Sequence, residues 1–246
     1  MKGTTPRGAQ TEQEAATWVR GMFGRIAPRY DLAIHLLSGN LDRIWRRHTV
    51  KRLGPILDRA DARVLDICCG TGDLAVALQK RGRTRVLASD FCHPMLVAAR
   101  PKLPGGVLFE SDALHLPIRD ASLDLITVAF GFRNLANYEA GLREMRRVLR
   151  PGGVAAILEF SQPRNGLFAA VYGYYSRRIL PLIGGLITGA GDAYRYLPES
   201  IRKFPNAPEL AAQMGVAGFT GVRFEHLSGG AVALHLGTAG PATLDR

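Results

Sequence analysis

The sequence predicts an α/β protein in which strands and helices alternate along a mostly parallel sheet. Three observations carry this. An apolar run, Val64-Leu65-Asp66-Ile67, passes through Cys68-Cys69-Gly70-Thr71-Gly72-Asp73 into Leu74-Ala75-Val76-Ala77-Leu78, where apolar residues return at helical spacing. Further strand runs end in acids at Asp90 and near Asp112, and a fourth run spans Leu123 to Phe130. Two last runs, 219–225 and 231–237, flank Gly229-Gly230 and read as a hairpin closing the sheet.

The turn after the first strand raises the question of a ligand. Glycines 70 and 72 clear side chains from it, and the N–H groups opening the next helix point to the same place. Two cofactor classes use such a turn. A dinucleotide enzyme needs a third small residue in G-x-G-x-x-G, a position held here by Ala75. The acids argue the other way: Asp66 and Asp73 would repel a pyrophosphate but suit the sulfonium and amino group of S-adenosyl-L-methionine. Asp90 lies twenty residues beyond Gly70, and its two oxygens can accept both ribose hydroxyls in either class. A tight turn holding nothing is the bland alternative.

A chain of 246 residues fits one large α/β domain with a full core. Its 47% hydrophobic and 22% charged content is that of an ordinary globular protein. Three cysteines, two adjacent at 68 and 69, form neither a disulfide framework nor a metal-ligand spacing, so no metal is expected and a reducing cytoplasm fits. No secretory signal opens the chain. The net charge of +11 suits nucleic acid or an anionic lipid surface and does not separate them.

Taken in order, residues 1–12 are polar with Gly and Pro and are expected to be disordered; 13–246 then form the single domain. A helical cap spans 13–53, broken near Pro28 and Ser38-Gly39-Asn40, where Phe23, Tyr30 and Trp45 could line a pocket or serve as plain core. After the cofactor turn come a strand at 84–90, a helix near 93–100 and a short strand at 107–110. Asp112 can accept from an adenine amino group there, while Ala113 lets the ring lie flat. The fourth strand runs into Gly131-Phe132-Arg133-Asn134; ligands gather at strand C-termini in such sheets, so Arg133 and Asn134 are placed for chemistry. A helix over about 138–149 stops at Arg150-Pro151-Gly152-Gly153, before a strand at 154–160. Residues 161–205 interrupt the alternation with two apolar stretches around Arg177-Arg178, and Pro181 and that pair prevent a clean membrane span. The insertion reads as lining an apolar pocket or touching lipid, or as a plain helical insert. A helix at about 208–214 precedes the hairpin.

Several separated stretches together resemble one family. Tyr30-Asp31 through Leu37-Ser38 to Trp45 is the first; Phe130-Gly131-Phe132-Arg133-Asn134, with 147–153 and Leu158-Glu159-Phe160-Ser161, is the second. The third and most specific is Tyr194-Arg195-Tyr196-Leu197-Pro198-Glu199-Ser200-Ile201, with Phe204-Pro205. The chain resembles the ubiquinone/menaquinone biosynthesis C-methyltransferases, from about Met22 to the final strand. The resemblance implies a Rossmann-like class I methyltransferase fold, with a seven-stranded sheet and an antiparallel last strand. It further implies methyl transfer from S-adenosyl-L-methionine to a ring carbon of a prenylated hydroquinone, foremost demethylmenaquinol, with a ubiquinone-type benzoquinol as the alternative. By analogy the cofactor contacts fall on Thr71 at the glycine turn, Asp90 at the ribose and Asp112-Ala113 at the adenine, beside Asp66, Gly70 and Gly72 of the turn itself. Three departures stand out: Cys68 where a first glycine is common, Ile34 for an asparagine, and Ala129 for a cofactor-facing serine.

Carbon methylation needs an electron-rich ring, and a phenol's usual pKa near 10 keeps its phenolate rare at neutral pH. Arg133 is expected to stabilise the developing phenolate and Asn134 to orient the hydroxyl or a water. Arginine stays protonated and is no base. The base is open among Tyr30, Tyr194, Tyr196 and an ordered water, with His35 read as structural or surface. A prenyl tail calls for contact with the inner face of an anionic membrane, through Arg177, Arg178, Arg202 and Lys203 beside the apolar insert. An RNA methyltransferase fits less well, because the fourth strand lacks an Asn/Asp-Pro-Pro-aromatic motif and Cys68 and Cys69 belong to the turn. A quinone-binding adaptor, a nicotinamide oxidoreductase and an oligomer of either state remain compatible with the sequence.

Overall fold

Seven strands, β1 (Val64–Ile67), β2 (Val86–Asp90), β3 (Val107–Glu110), β4 (Leu123–Ala129), β5 (Leu149–Phe160), β6 (Phe219–Leu227) and β7 (Val232–Ala239), form one sheet in the order β3-β2-β1-β4-β5-β7-β6. This is seen in a computed structural model that describes residues 3–82, 85–163, 166, 173–175, 178, 182, 184 and 189–241. The first five strands pair in parallel, while β7 runs antiparallel to both β5 and β6. The strand order reverses between β1 and β4, so a crevice opens at their carboxyl ends.

Both faces of the sheet are covered, which is why its central strands read as unbroken apolar runs. Leu65, Ile67, Ile126 and Ile157 face α7 (Tyr138–Val148) and a C-terminal helix, α9 (Ala207–Val216), through Leu142, Met145 and Leu210. Val64, Leu125, Ala156 and Leu158 face the opposite way, onto Trp45 and Val50 of α3 (Leu41–Arg52) and Leu74 and Leu78 of α5 (Asp73–Arg81). Local signals fix the helix starts. Thr11 accepts from Glu14 N ahead of α1 (Glu12–Ile26), Asn137 accepts from Ala140 N ahead of α7, and Asn206 with Glu209 forms a capping box for α9.

The helical cap breaks where the sequence indicates: α1 ends before Pro28, α2 spans Tyr30–Leu37, and α3 starts after Asn40, which sits at φ 61°. Short α4 (Gly54–Leu57) leads into β1. The cap packs Val19, Met22 and Ala33 against Met95 of α6 (His93–Ala99) and against Tyr194 and Tyr196 of α8 (Gly191–Lys203).

Two expectations need correction. Residues 1–12 are not disordered over their described part: Thr4 is buried, its N–H donates to Leu135 O at 2.8 Å, and a Cβ on Gly3 would lie 2.3 Å from the Ala136 carbonyl carbon. Short polar residues suit this path because it is fixed by hydrogen bonds, which composition does not reveal. The second concerns the stop at 150–153: β5 already starts at Leu149, which pairs with Leu123 of β4, so the Pro-Gly stretch shifts the register within the strand instead of ending the chain before it. The apolar and basic stretches expected to touch lipid in the insertion fall largely outside the described residues, Arg177 among them. Among the described residues no helix is long and apolar enough to cross a membrane.

Candidate active site

The turn between β1 and α5 enters left-handed backbone three times, at Cys68 (φ 48°), Gly70 (φ 56°) and Gly72 (φ 85°). A Cβ on Gly72 would sit 3.2 Å from that of Ala99, so glycine also lets α5 approach α6. Cys68 is therefore not the mild departure its small size suggests: a side chain in this conformation carries strain of about 1–3 kcal/mol. Asp66, Gly70, Thr71, Asp90, Asp112 and Ala113 all line one cleft above this turn; Gly72, just beyond, caps α5.

Each acid in the cleft is held differently. Asp66 is buried; its Oδ1 accepts from Thr127 Oγ1 at 2.6 Å, its Oδ2 has no partner, and burial pushes its carboxyl up to about 7. Asp90 accepts from Gly70 N at 2.8 Å and from Cys92 N at 2.9 Å, yet burial still raises it to about 6. Asp112 accepts from Leu114 N at 2.9 Å and presents Ala113 beside it. Asp73 also lines the cleft. Its Oδ1 is engaged by Lys102 Nζ at 2.8 Å, while its Oδ2 is buried without a hydrogen-bond partner.

A network of charged side chains surrounds Asp73. Lys102 also reaches Asp31 at 2.8 Å, and Asp31 accepts from Thr71 Oγ1 at 2.5 Å. His35 Nδ1 lies 2.9 Å from buried Asp42, and its Nε2 lies 3.7 Å from Asp73. Arg46 pairs with Asp42 and approaches Asp73 at 4.0 Å. The network pins α2 and α3 to the cofactor turn. His35, Asp42 and Asp73 lie close enough to bind a cation, but Arg46 and Lys102 already supply the balancing charge. Thr71's hydroxyl is thus spent within the protein, which leaves its backbone and methyl for a ligand.

A second, mostly apolar cavity of about 540 Å³ adjoins the cleft. Phe23, Tyr30 and Phe130 line both spaces. Arg133 faces the cavity and Asn134 the cleft, so the three residues assigned to catalysis meet at the boundary. Arg133 is buried against Glu159: its Nη1 donates to Oε1 at 3.0 Å, its backbone N–H to Oε2 at 3.1 Å, and its guanidinium lies 5.2 Å from the Phe160 ring centre. The Nη1 also donates to Phe130 O, while Nε is buried without a partner. Asn134 Oδ1 accepts from Tyr196 OH at 2.9 Å, and that hydroxyl lies 2.6 Å from Thr4 Oγ1. Burial raises the Tyr30 phenol to about 12, despite the opposing pull of Arg133, and raises Tyr196 too. Burial thus keeps both phenols neutral at neutral pH, which argues against either as the base.

Glu159, Thr4, Lys102 and Asp42 have no role in the sequence reading, while His35, read there as structural or surface, pairs with Asp42. Glu159 carried a signal, an acid inside an apolar strand next to a motif; Thr4 carried none. Trp45 lines the cavity and donates to Ser228 Oγ at 2.9 Å, and the departures Ile34 and Ala129 line the cavity and the cleft.

Similar solved structures show the same fold. A SAM-dependent methyltransferase from Thermotoga maritima superposes with a TM-score of 0.62 at 21% identity, covering 89% of this chain and 98% of that one. A phosphoethanolamine N-methyltransferase of Haemonchus contortus, solved with S-adenosyl-L-methionine, gives 0.57 at 15% identity, covering 80% and 52%. Sequence relatives are nearer. The demethylmenaquinone methyltransferase of Thermus thermophilus is 48% identical over 88% of this chain and 99% of its own. That of Deinococcus radiodurans is 44% identical over 92% and 94%. The ubiquinone/menaquinone biosynthesis C-methyltransferase of Cellvibrio japonicus is 41% identical over 96% and 98%. With residues 9–239 matching the family's model, the chain belongs to the ubiE/COQ5 methyltransferase family.

Proposed function

We propose that the protein methylates a ring carbon of demethylmenaquinol to give menaquinol, with a ubiquinone-type benzoquinol as the alternative substrate. One observation carries the reading: an apolar cavity of about 540 Å³ meets a polar, acid-lined cleft at Tyr30, Phe23 and Phe130. A ring with a prenyl chain suits the first space and a charged nucleoside the second. The names of the relatives from Thermus and Deinococcus support the naphthoquinol side of the choice.

The cleft fits S-adenosyl-L-methionine. Asp66 Oδ2 and Ser111 Oγ are buried there without partners, so both await hydrogen-bond donors or acceptors, and a cation suits Asp66. Gly70 has open space where a Cβ would stand, which lets a ligand lie on the main chain. Bound there, S-adenosyl-L-methionine supplies an electrophilic methyl group.

The chain's own residues do the rest. Glu159 fixes the Arg133 guanidinium, and Arg133 presents its charge and unpartnered Nε to the oxygen of the quinol as it gains negative charge. Tyr196 occupies Asn134 Oδ1, which leaves the Asn134 amide hydrogens to orient that oxygen or a water receiving its proton. Tyr30 stays a neutral phenol and positions the ring at the junction. Alignment of donor and acceptor is worth up to roughly 7–11 kcal/mol. Ile34→Phe, which intrudes on the apolar cavity, should raise KM for the quinol by about tenfold while leaving S-adenosyl-L-methionine affinity unchanged. Equal KM values in steady-state assays would remove the cavity from the account.

A further inference from the structure

The tip formed by α2 and α3 exposes apolar side chains where the cavity opens. Leu32 (62% exposed) and Leu36 (59%) lie one turn apart on α2; Leu41 (41%) and Ile44 (56%) share a face of α3. They are four of the nine large apolar side chains left exposed among the described residues, and they fall within thirteen positions. Their concentration is unlike the scattered exposure usual on a protein surface. The inner faces of the same helices bury Ala33, Trp45 and Thr49, so the exposure is one-sided.

Leu36 and Leu41 are exposed and also line the apolar cavity, as does exposed Gly39 between the helices. The cavity's mouth therefore lies at this tip. Along α3 the apolar face passes into Arg43, Arg47 and Lys51, all exposed. The acids of the stretch do not oppose them: Asp42 is 1% exposed and paired with Arg46, and Asp31 is engaged by Lys102. Leucines at a cavity mouth beside a row of surface cations match the headgroup and acyl boundary of an anionic bilayer.

We infer that the α2–α3 tip is the protein's docking surface for an anionic membrane, seating the cavity mouth against the acyl region so that a prenyl chain passes in without crossing water. This rests on the substrate proposed above, but the docking itself does not require turnover. The surface is formed by α2 and α3 of the cap, whereas the sequence assigned lipid contact to the insertion, whose Tyr175 lines the same cavity and donates to Leu37 O at 2.6 Å.

The test is flotation of the full chain with phosphatidylcholine vesicles, with and without phosphatidylglycerol, at low and high salt. Leu32 and Ile44 do not line either space, so Leu32→Gln with Ile44→Gln leaves the site intact; Val216→Gln, at an 86% exposed site on α9, is the control. The parent and the control should float with phosphatidylglycerol vesicles, while the double variant and Arg43→Glu with Arg47→Glu should lose binding by about tenfold. Turnover of a short-chain quinol in solution should stay at the parent level in the Leu32/Ile44 variant, with loss confined to long-chain quinol in vesicles. A parent that does not float, or a double variant that floats as well as the parent, overturns the inference. So does a parent dimer that the double variant abolishes without any change in flotation, because the tip would then join two copies. Flotation by the tip with no methylation of any quinol leaves the docking surface standing and removes the substrate instead.

Discussion

Arg133 and Glu159 are buried together, and neither can be changed alone without stranding the other's charge. Arg133→Ala should therefore lose both turnover and stability. Arg133→Met combined with Glu159→Gln separates the two: the fold should hold, S-adenosyl-L-methionine should bind within about twofold of the parent, and kcat should fall about 10²-fold or more. Single-turnover kinetics beside calorimetry checks this. Asp66 and Asp90 give a pH signature. Burial raises both above their ordinary value of 3.8, to about 7 and about 6. Between those limits the folded chain keeps protons the unfolded chain has lost, so this contribution is full below about pH 4 and is lost as pH rises through 6 to 7. Binding a cation beside Asp66 should expel its proton. Calorimetry near pH 6.5 in buffers of different ionisation enthalpy should thus show proton release, reduced in Asp66→Asn.

At the scale of elements, the site depends on close approach between segments far apart in sequence. A Cβ on Gly131, at the end of β4, would lie 2.5 Å from Cys68 Cβ in the turn after β1. Gly131→Ala should cost about 1–3 kcal/mol, seen as a fall in melting temperature of roughly 2–12 °C, with weaker cofactor binding because the turn must shift. The N-terminal strand of chain matters in the same way. Thr4 holds Tyr196, and Tyr196 holds Asn134. Thr4→Val should lower kcat by about tenfold through a misplaced Asn134 amide, with cofactor affinity unchanged; a kcat equal to the parent's would assign that contact to stability alone.

For the whole molecule, what the sequence made legible followed from local rules. Apolar runs marked the strands, the Gly70-Thr71-Gly72 turn marked the cofactor end of the sheet, and Asp90 and Asp112-Ala113 fell at strand ends where the topology brings them to one cleft. The less legible part rests on long-range pairing. Nothing near Thr4 announces Tyr196, nothing near Lys102 announces Asp31 and Asp73, and the strain at Cys68 depends on a backbone conformation that residue size does not encode. Tyr30 is one of several candidate bases in the sequence, and only its burial in the fold, which pushes its phenol up to about 12, argues against that role. The apolar mouth at Leu36 and Leu41 was likewise hidden, because each leucine alone reads as ordinary helix.

The central claim is that the cleft and the cavity bring a sulfonium methyl group to the ring carbon of a naphthoquinol. Incubation with methyl-labelled S-adenosyl-L-methionine and reduced demethylmenaquinone, beside the benzoquinol precursor, tests it by mass spectrometry of the quinone fraction. The account predicts label on a ring carbon of menaquinone, in excess over the benzoquinone product, and none with Asp90→Ala at limiting cofactor. Label on oxygen, or a labelled product only from the benzoquinol, would contradict it.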